Sequence, residues 1–235
     1  MDQAEFDRFA DEYRDVHARS IHLSGESPDF FAEYKIRDVA RLVAQAGLRH
    51  PLRIMDFGAG VGNSVPFFTE YLPNARLTCV DVSRRSLEIA ETRFRSMAAY
   101  QVFDGNTLPF PEASFDLAFT ACVFHHIPAP EHGGLFAEIH RVLRPGGLFV
   151  IFEHNPHNPL TVRAVNTCPF DEHAVLIDAK AMQACLAAAA FTDIQLAYRI
   201  FFPRVLRALR ILEPMLRRLP LGAQYYVSAR KADVR

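Results

Sequence analysis

Beyond residue 50 the chain alternates between short apolar runs and stretches whose apolar positions recur with helical spacing. Leu52–Phe57 reads as a strand, Ser64–Tyr71 as a helix, Arg76–Asp81 as a second strand, and Ser83–Arg95 as a second helix with Ser83 at its N-cap. Tyr100–Phe103 and Phe115–Ala121 read as strands three and four, the latter followed by a helix ending near Leu143. Arg144-Pro145-Gly146-Gly147 breaks that helix, and Leu148–Glu153 is the fifth strand. Repeated strand–helix units of this length predict a parallel, doubly wound sheet with right-handed crossovers. The C-terminal third predicts a helix over Ala179–Phe191 and strands over Ile194–Phe201 and Tyr225–Arg230. Between those strands a basic apolar helix spans Pro203–Leu219, followed by Pro220-Leu221-Gly222. Residues 1–48 read as helices: Phe6, Phe9 and Tyr13 share one face, and Phe31, Tyr34 and Val39 another. Ser24-Gly25-Glu26-Ser27-Pro28 forms a turn between them. With no repeat and no low-complexity linker, residues 1–235 are expected to form one domain.

Composition narrows the class without changing that picture. Half of the 235 residues are apolar and the formal net charge is −1, so no electrostatic footprint for nucleic acid is present. Cys79, Cys122, Cys168 and Cys185 lie far apart with no C-x-x-C pair, which points to reduced thiols rather than disulfides or zinc. The acidic start lacks the apolar core of a signal peptide, and no stretch is long enough to span a bilayer; the expected location is cytoplasmic.

The first candidate for chemistry is Met55-Asp56-Phe57-Gly58-Ala59-Gly60-Val61-Gly62-Asn63-Ser64, an acid followed by glycines at alternate positions after an apolar strand. Glycine there lets the backbone turn tightly and approach a ligand. The last gap is one residue shorter than in the dinucleotide fingerprint G-x-G-x-x-G. The stretch resembles motif I of the class I S-adenosylmethionine (SAM) methyltransferases, and three later stretches fall in the order that resemblance requires. Asp81, with Val82 and Ser83, ends strand two about 20 residues on, where a carboxylate can accept from ribose hydroxyls. Asp104-Gly105-Asn106 follows strand three, where the family sets a carboxylate against the adenine amine; an Asx turn is the plainer reading. Ser114-Phe115-Asp116-Leu117-Ala118-Phe119-Thr120-Ala121-Cys122-Val123-Phe124-His125-His126 resembles motif IV, and Leu143-Arg144-Pro145-Gly146-Gly147 the turn before strand five. The resemblance covers residues 52 to about 153. It implies a Rossmann-like, mostly parallel seven-stranded sheet with helices on both faces. It also implies SAM as cofactor, S-adenosylhomocysteine as product, and a helical lid over residues 1–48. In that reading Asp56, Gly58, Ala59, Gly60, Gly62, Asn63 and Ser64 hold the cofactor's amino-acid end. Asp81, Val82, Ser83, Asp104, Gly105, Asn106, Thr120, Ala121 and Cys122 line its path, and Tyr13, Tyr34 and Lys35 reach it from the lid. The family joins its last two strands by a short hairpin, so residues 203–219 are an insertion.

Methyl transfer needs an in-line acceptor atom and, for a hydroxyl, a base. His126 and His125 beyond strand four, and His154 and Glu153 at the end of strand five, are the candidates, each with a packing or loop role as the alternative. No metal is implied, and Ala121 before Cys122 does not match the context of a cytosine-C5 nucleophile. The expected function is methylation of an oxygen or nitrogen atom on a small acceptor, a secondary metabolite or sugar. The alternatives are a silent SAM-binding partner protein and an NAD(P)-dependent oxidoreductase. Six arginines among the apolar residues of 199–218 suggest a membrane surface, a lipid-linked acceptor, a homodimer contact, or an ordinary packed helix.

Overall fold

A computed structural model describes residues 19–233, so Tyr13, with Phe6 and Phe9, lies outside the described residues. Seven strands form one sheet in the order β3-β2-β1-β4-β5-β7-β6. Their ranges are β1 Arg53–Phe57, β2 Arg76–Asp81, β3 Ala99–Val102, β4 Phe115–Ala121, β5 Leu143–His154, β6 Phe191–Arg199 and β7 Gln224–Lys231. The first five pair in parallel, and β7 runs antiparallel between β5 and β6.

Both faces of the sheet are covered, which is why its central strands read as unbroken apolar runs rather than alternating ones. Along β5, Phe149 and Ile151 enter one core with Phe136 and Ile139 of helix α4 (Ala129–Val142) and Met182 and Leu186 of α6 (Ala179–Ala188). Leu148, Val150 and Phe152 enter the other, with Val39 and Leu42 of α1 (Pro28–Ala46), Phe68 of α2 (Val65–Tyr71) and Leu87 of α3 (Arg84–Phe94). A further helix, α5, spans Pro159–Asn166. The expected N-caps form: Ser27 accepts from the Phe30 N–H and Ser83 from the Ser86 N–H. The first two turns of α1 stand over the C-terminal ends of the strands, while its later turns pack on the sheet.

Three regions differ from the sequence reading by more than a residue or two. The fifth strand starts at Leu143, because Leu143 pairs with Phe115 and Leu148 with Leu117; Arg144–Gly147 is a bulge within the strand. A Cβ on Gly147 would meet the Arg144 carbonyl oxygen at 2.7 Å, so glycine is required there. The sixth strand starts at Phe191, because Ala190, at φ 64°, ends the helix early and a bulge at Asp193 resets the register. The basic helix expected over Pro203–Leu219 is not one helix: a 3-10 segment covers Arg204–Leu212, distorted at Leu206, and a single α-turn covers Glu213–Leu216. Pro214 cannot continue an α-helix begun before it. In addition, only Glu213 of these residues is buried, so little packing favours an α-helix over the open form. Among the described residues no helix is long and apolar enough to cross a membrane.

Candidate active site

The strand order reverses between β1 and β4, and beyond their C-terminal ends lies a cavity of about 1510 Å³ including its open mouth. Such switch points are where open α/β sheets hold ligands. The glycine turn forms its wall. Gly58, Gly60 and Gly62 all have positive φ (73°, 52° and 78°). A Cβ on Gly58 would strike Val123 Cγ2 at 2.4 Å, whereas a Cβ on Gly60 would meet nothing within 4 Å and would point into open space. Gly58 and Ala59 donate their N–H groups to the Val80 carbonyl, which ties the turn to β2.

Two carboxylates face this wall. Asp81 accepts the Gly60 N–H at 2.8 Å on one oxygen and the Ser83 N–H at 2.9 Å on the other. Asp56, 2% exposed, has an Oδ2 atom with no hydrogen-bond partner. Burial, then the charge of Asp81, pushes the Asp56 carboxyl up to about 8, against the opposing pull of Lys35. A buried orphan oxygen beside a turn that is bare at Gly60 calls for a cationic, hydrogen-bonding ligand. Ala59, Asn63, Ser64, Val82, Ala121, Cys122 and Lys35 also line the cavity.

Acid–base groups gather on the opposite side. His125, buried, donates from Nδ1 to Glu153 Oε2 at 2.6 Å and has Nε2 3.5 Å from Asp171 Oδ1. Burial disfavours its charge, but Glu153 and the hydrogen bonds to Asp171 and Glu153 outweigh this and raise it to about 10. His125 is therefore an imidazolium at neutral pH. Asp171, despite burial, is pulled down to about 2 by the same histidines. His126 has Nε2 3.4 Å from the same Asp171 oxygen. Burial and the charge of His125 push it down to about 4, which leaves it neutral and facing the cavity. His125, His126 and Asp171 place ligand atoms within 4.8 Å of one another, a set that also has the composition of a divalent-cation site.

The remaining expected residues divide. His154 lines the cavity and accepts at Nδ1 from Gln224 Nε2 at 3.3 Å. Glu153 does not line it: one oxygen holds the Phe124 N–H and the other His125, so it positions that histidine rather than meeting an acceptor. Tyr34 is buried beneath the cavity and donates its hydroxyl to Gln224 Oε1. Thr120 is buried with an unpartnered hydroxyl, and Ser83 is taken up in its cap. Asp104 stands outside the cavity, with Oδ1 accepting from the Asn106 and Thr107 N–H groups at 2.8 Å. The Asx turn thus forms there, and Phe103 is the residue of that stretch that lines the cavity. Cys122 adopts φ 58°. Although burial opposes it, His154 and Lys35 lower its thiol to about 7, and Lys35 Nζ lies 3.7 Å from Sγ. Among the described cysteines all four are free.

Asp171 and Gln224 escaped the sequence reading. Asp171 comes from an irregular turn after α5, and Gln224 from the first position of β7, whose partner strands lie far off in sequence.

Residues 55–151 match the methyltransferase domain family. The chain is 29% identical over 142 residues to a malonyl-[acyl-carrier protein] O-methyltransferase of Marinomonas sp., covering 60% of this chain and 52% of that protein. It is 31% identical over 116 residues to a ubiquinone/menaquinone biosynthesis C-methyltransferase of Desulfotalea psychrophila, covering 49% and 46%. It spans about half the length of these curated relatives. Among solved structures, a SAM-dependent methyltransferase from Thermotoga maritima, titled a possible histamine N-methyltransferase, superposes with TM-score 0.66 at 18% identity. That match covers 97% of this chain and 99% of that one, and it shows the shared fold.

Proposed function

The chain carries a class I SAM-dependent methyltransferase domain, and from that premise we propose that it transfers a methyl group from SAM to an oxygen or nitrogen atom of a small acceptor. The observation that carries the cofactor half is Asp56 Oδ2, a buried oxygen without a partner at the end of β1, with the Asp81 carboxylate on the same cavity wall. Asp56 suits the cofactor's ammonium and Asp81 its ribose hydroxyls, while the bare Gly60 leaves room for close approach. When bound, SAM supplies a methyl group activated on a positively charged sulfur.

The acceptor half rests on His126. It is neutral at pH 7, borders the cavity and lies next to an Asp171 that stays ionised, so it is set to take a proton from an acceptor hydroxyl. His125 stays charged between two carboxylates and holds His126 unprotonated; Glu153 fixes His125 in turn. His154 forms a second polar point on the acceptor side, oriented by Gln224. Most of the rate enhancement in such a displacement comes from holding the two reactants in line. The names of the relatives span O- and C-methyl transfer, whereas a neutral His126 at the cavity suits a hydroxyl acceptor.

Calorimetric titration of the purified protein with SAM, then with S-adenosylhomocysteine, tests the cofactor assignment. Micromolar binding that Asp81→Ala weakens by about 1.5–3 kcal/mol, the scale of a charge-assisted hydrogen bond, supports it. Affinity for NADH with none for SAM would overturn it.

A further inference from the structure

The ten large apolar side chains most exposed among the described residues are not scattered. Leu160 and Val175 follow β5, and the other eight lie between Val205 and Leu221, in the connection from β6 to β7. Both connections leave the sheet at its cavity end. There His154, Gln224 and Arg199 stand side by side across β5, β7 and β6, and His154 and Gln224 line the cavity. The Val175 N–H donates to the His125 carbonyl at 2.8 Å, and Thr161, next to Leu160, donates to the Ala223 carbonyl at 2.9 Å. The exposed apolar groups therefore form a rim at the cavity end of the sheet, outside the cavity lining itself.

That rim is cationic as well as apolar. Val205, Ile211 and Met215 are 85%, 82% and 81% exposed. Arg204, Arg207, Arg217 and Arg218 are exposed among them, while Glu213, the one acid of the segment, is buried, accepts the Phe201 N–H and lies 3.8 Å from Arg199. Arg210 anchors the segment through Glu26 at 2.8 Å and the Phe202 carbonyl. Apolar groups interspersed with unopposed arginines complement anionic headgroups above acyl chains. A twofold contact between two copies of this rim would set arginines against arginines, since such a contact pairs one surface with itself.

We infer that this rim docks on an anionic lipid bilayer, and that the methyl acceptor is a lipid presented at that bilayer. The docking rests on the rim alone; the acceptor class rests also on the methyl-transfer reading above.

Flotation of the full chain with phosphatidylcholine vesicles, with and without phosphatidylglycerol, tests the docking. The expected result is flotation with the phosphatidylglycerol vesicles only, weakening as salt rises. The triple variant Arg207→Glu, Arg217→Glu, Arg218→Glu should reduce partitioning about a hundredfold or more, since each arginine near such a surface contributes about fivefold. Val205→Ser, Ile211→Ser, Met215→Ser together should remove it even at low salt. Both variants should keep SAM affinity within about twofold, a control for folding. Absence of flotation with any vesicle overturns the inference, as does flotation that survives both variants. So does a monomer–dimer equilibrium that the serine variant abolishes without any vesicle binding, which would mean a second copy covers the rim. For the acceptor class, methyl-labelled SAM is supplied with total lipid extract dispersed with phosphatidylglycerol, and separately with the water-soluble extract. Label in lipid supports the class, and label in soluble products alone overturns it with the docking intact. Failure to bind SAM at all overturns the methyl-transfer reading and leaves the flotation result standing.

Discussion

An ionised carboxylate buried without a full set of partners costs stability, and Asp56 responds by holding its proton up to about 8. A raised carboxyl pKa means that the fold prefers the protonated form. Its contribution to stability is present below the unfolded value near 4 and is lost as pH rises through about 8. Asp56→Asn keeps the shape without the charge, so it should raise the melting temperature of ligand-free protein more near pH 8 than near pH 5. Equal shifts at both values would contradict the assignment. A cation beside Asp56 reverses the preference, so SAM binding near neutral pH should release protons from the wild type and none from Asp56→Asn. Calorimetry in buffers of different ionisation enthalpy reads this directly. His126, held down near 4, gives a complementary expectation: with SAM saturating, kcat/KM for the acceptor should be flat from about pH 5 to neutrality and fall only below that. His126→Gln should lower kcat by about 10²–10⁴ with SAM affinity unchanged, and an unchanged kcat would remove it as the base. If a chelator lowers activity by the same factor and divalent metal restores it, the His125, His126 and Asp171 cluster works by holding a cation instead.

At the scale of elements, β5 does two jobs. Its middle, Leu148 to Phe152, is packed on both faces, and its end carries Glu153 and His154 to the site. Phe149→Ala should cost about 3–5 kcal/mol of stability in urea unfolding, as buried aromatic truncations do. Glu153→Ala should cost a similar amount by leaving His125 charged and half-paired. The elements legible in the sequence were those set by local pattern. The strand runs Arg76–Asp81 and Phe115–Ala121 match the structure end to end, and the alternating glycines disclosed the turn because tight backbone curvature needs them. Tertiary context hid the rest. Glu153 looked like a cleft residue until its two oxygens were found occupied, and Asp171 joins the histidines only through the long excursion after β5. Residues 204–216 carried a helical pattern, yet Pro214 and the lack of a buried face left a 3-10 segment in its place.

At the scale of the molecule, the cavity is assembled from two parts of the chain. Residues 55–151 supply the glycine turn, Asp56, Asp81 and the two adjacent histidines, whereas Asp171, Gln224 and the rim come after β5. Replacing 204–221 with a short hairpin should therefore leave SAM affinity unchanged and cost about 3–5 kcal/mol of stability, the scale of losing the Tyr198 N–H bond to the Arg217 carbonyl, the bonds of Glu213 to Phe201 and Arg199, and the Arg210–Glu26 pair. A collapse of SAM binding in that variant would show the two halves to be inseparable. The antiparallel β7 gives this division a further meaning. Because β7 is wedged between β5 and β6, both ends of the 200–223 excursion are clamped in the sheet, at Arg199 and at Gln224. Mutation or recombination can lengthen, shorten or exchange that excursion while its two anchor points stay fixed. On the proposed function, rewriting that one loop changes which surface the cavity end presents, while the glycine turn and the paired histidines are inherited intact.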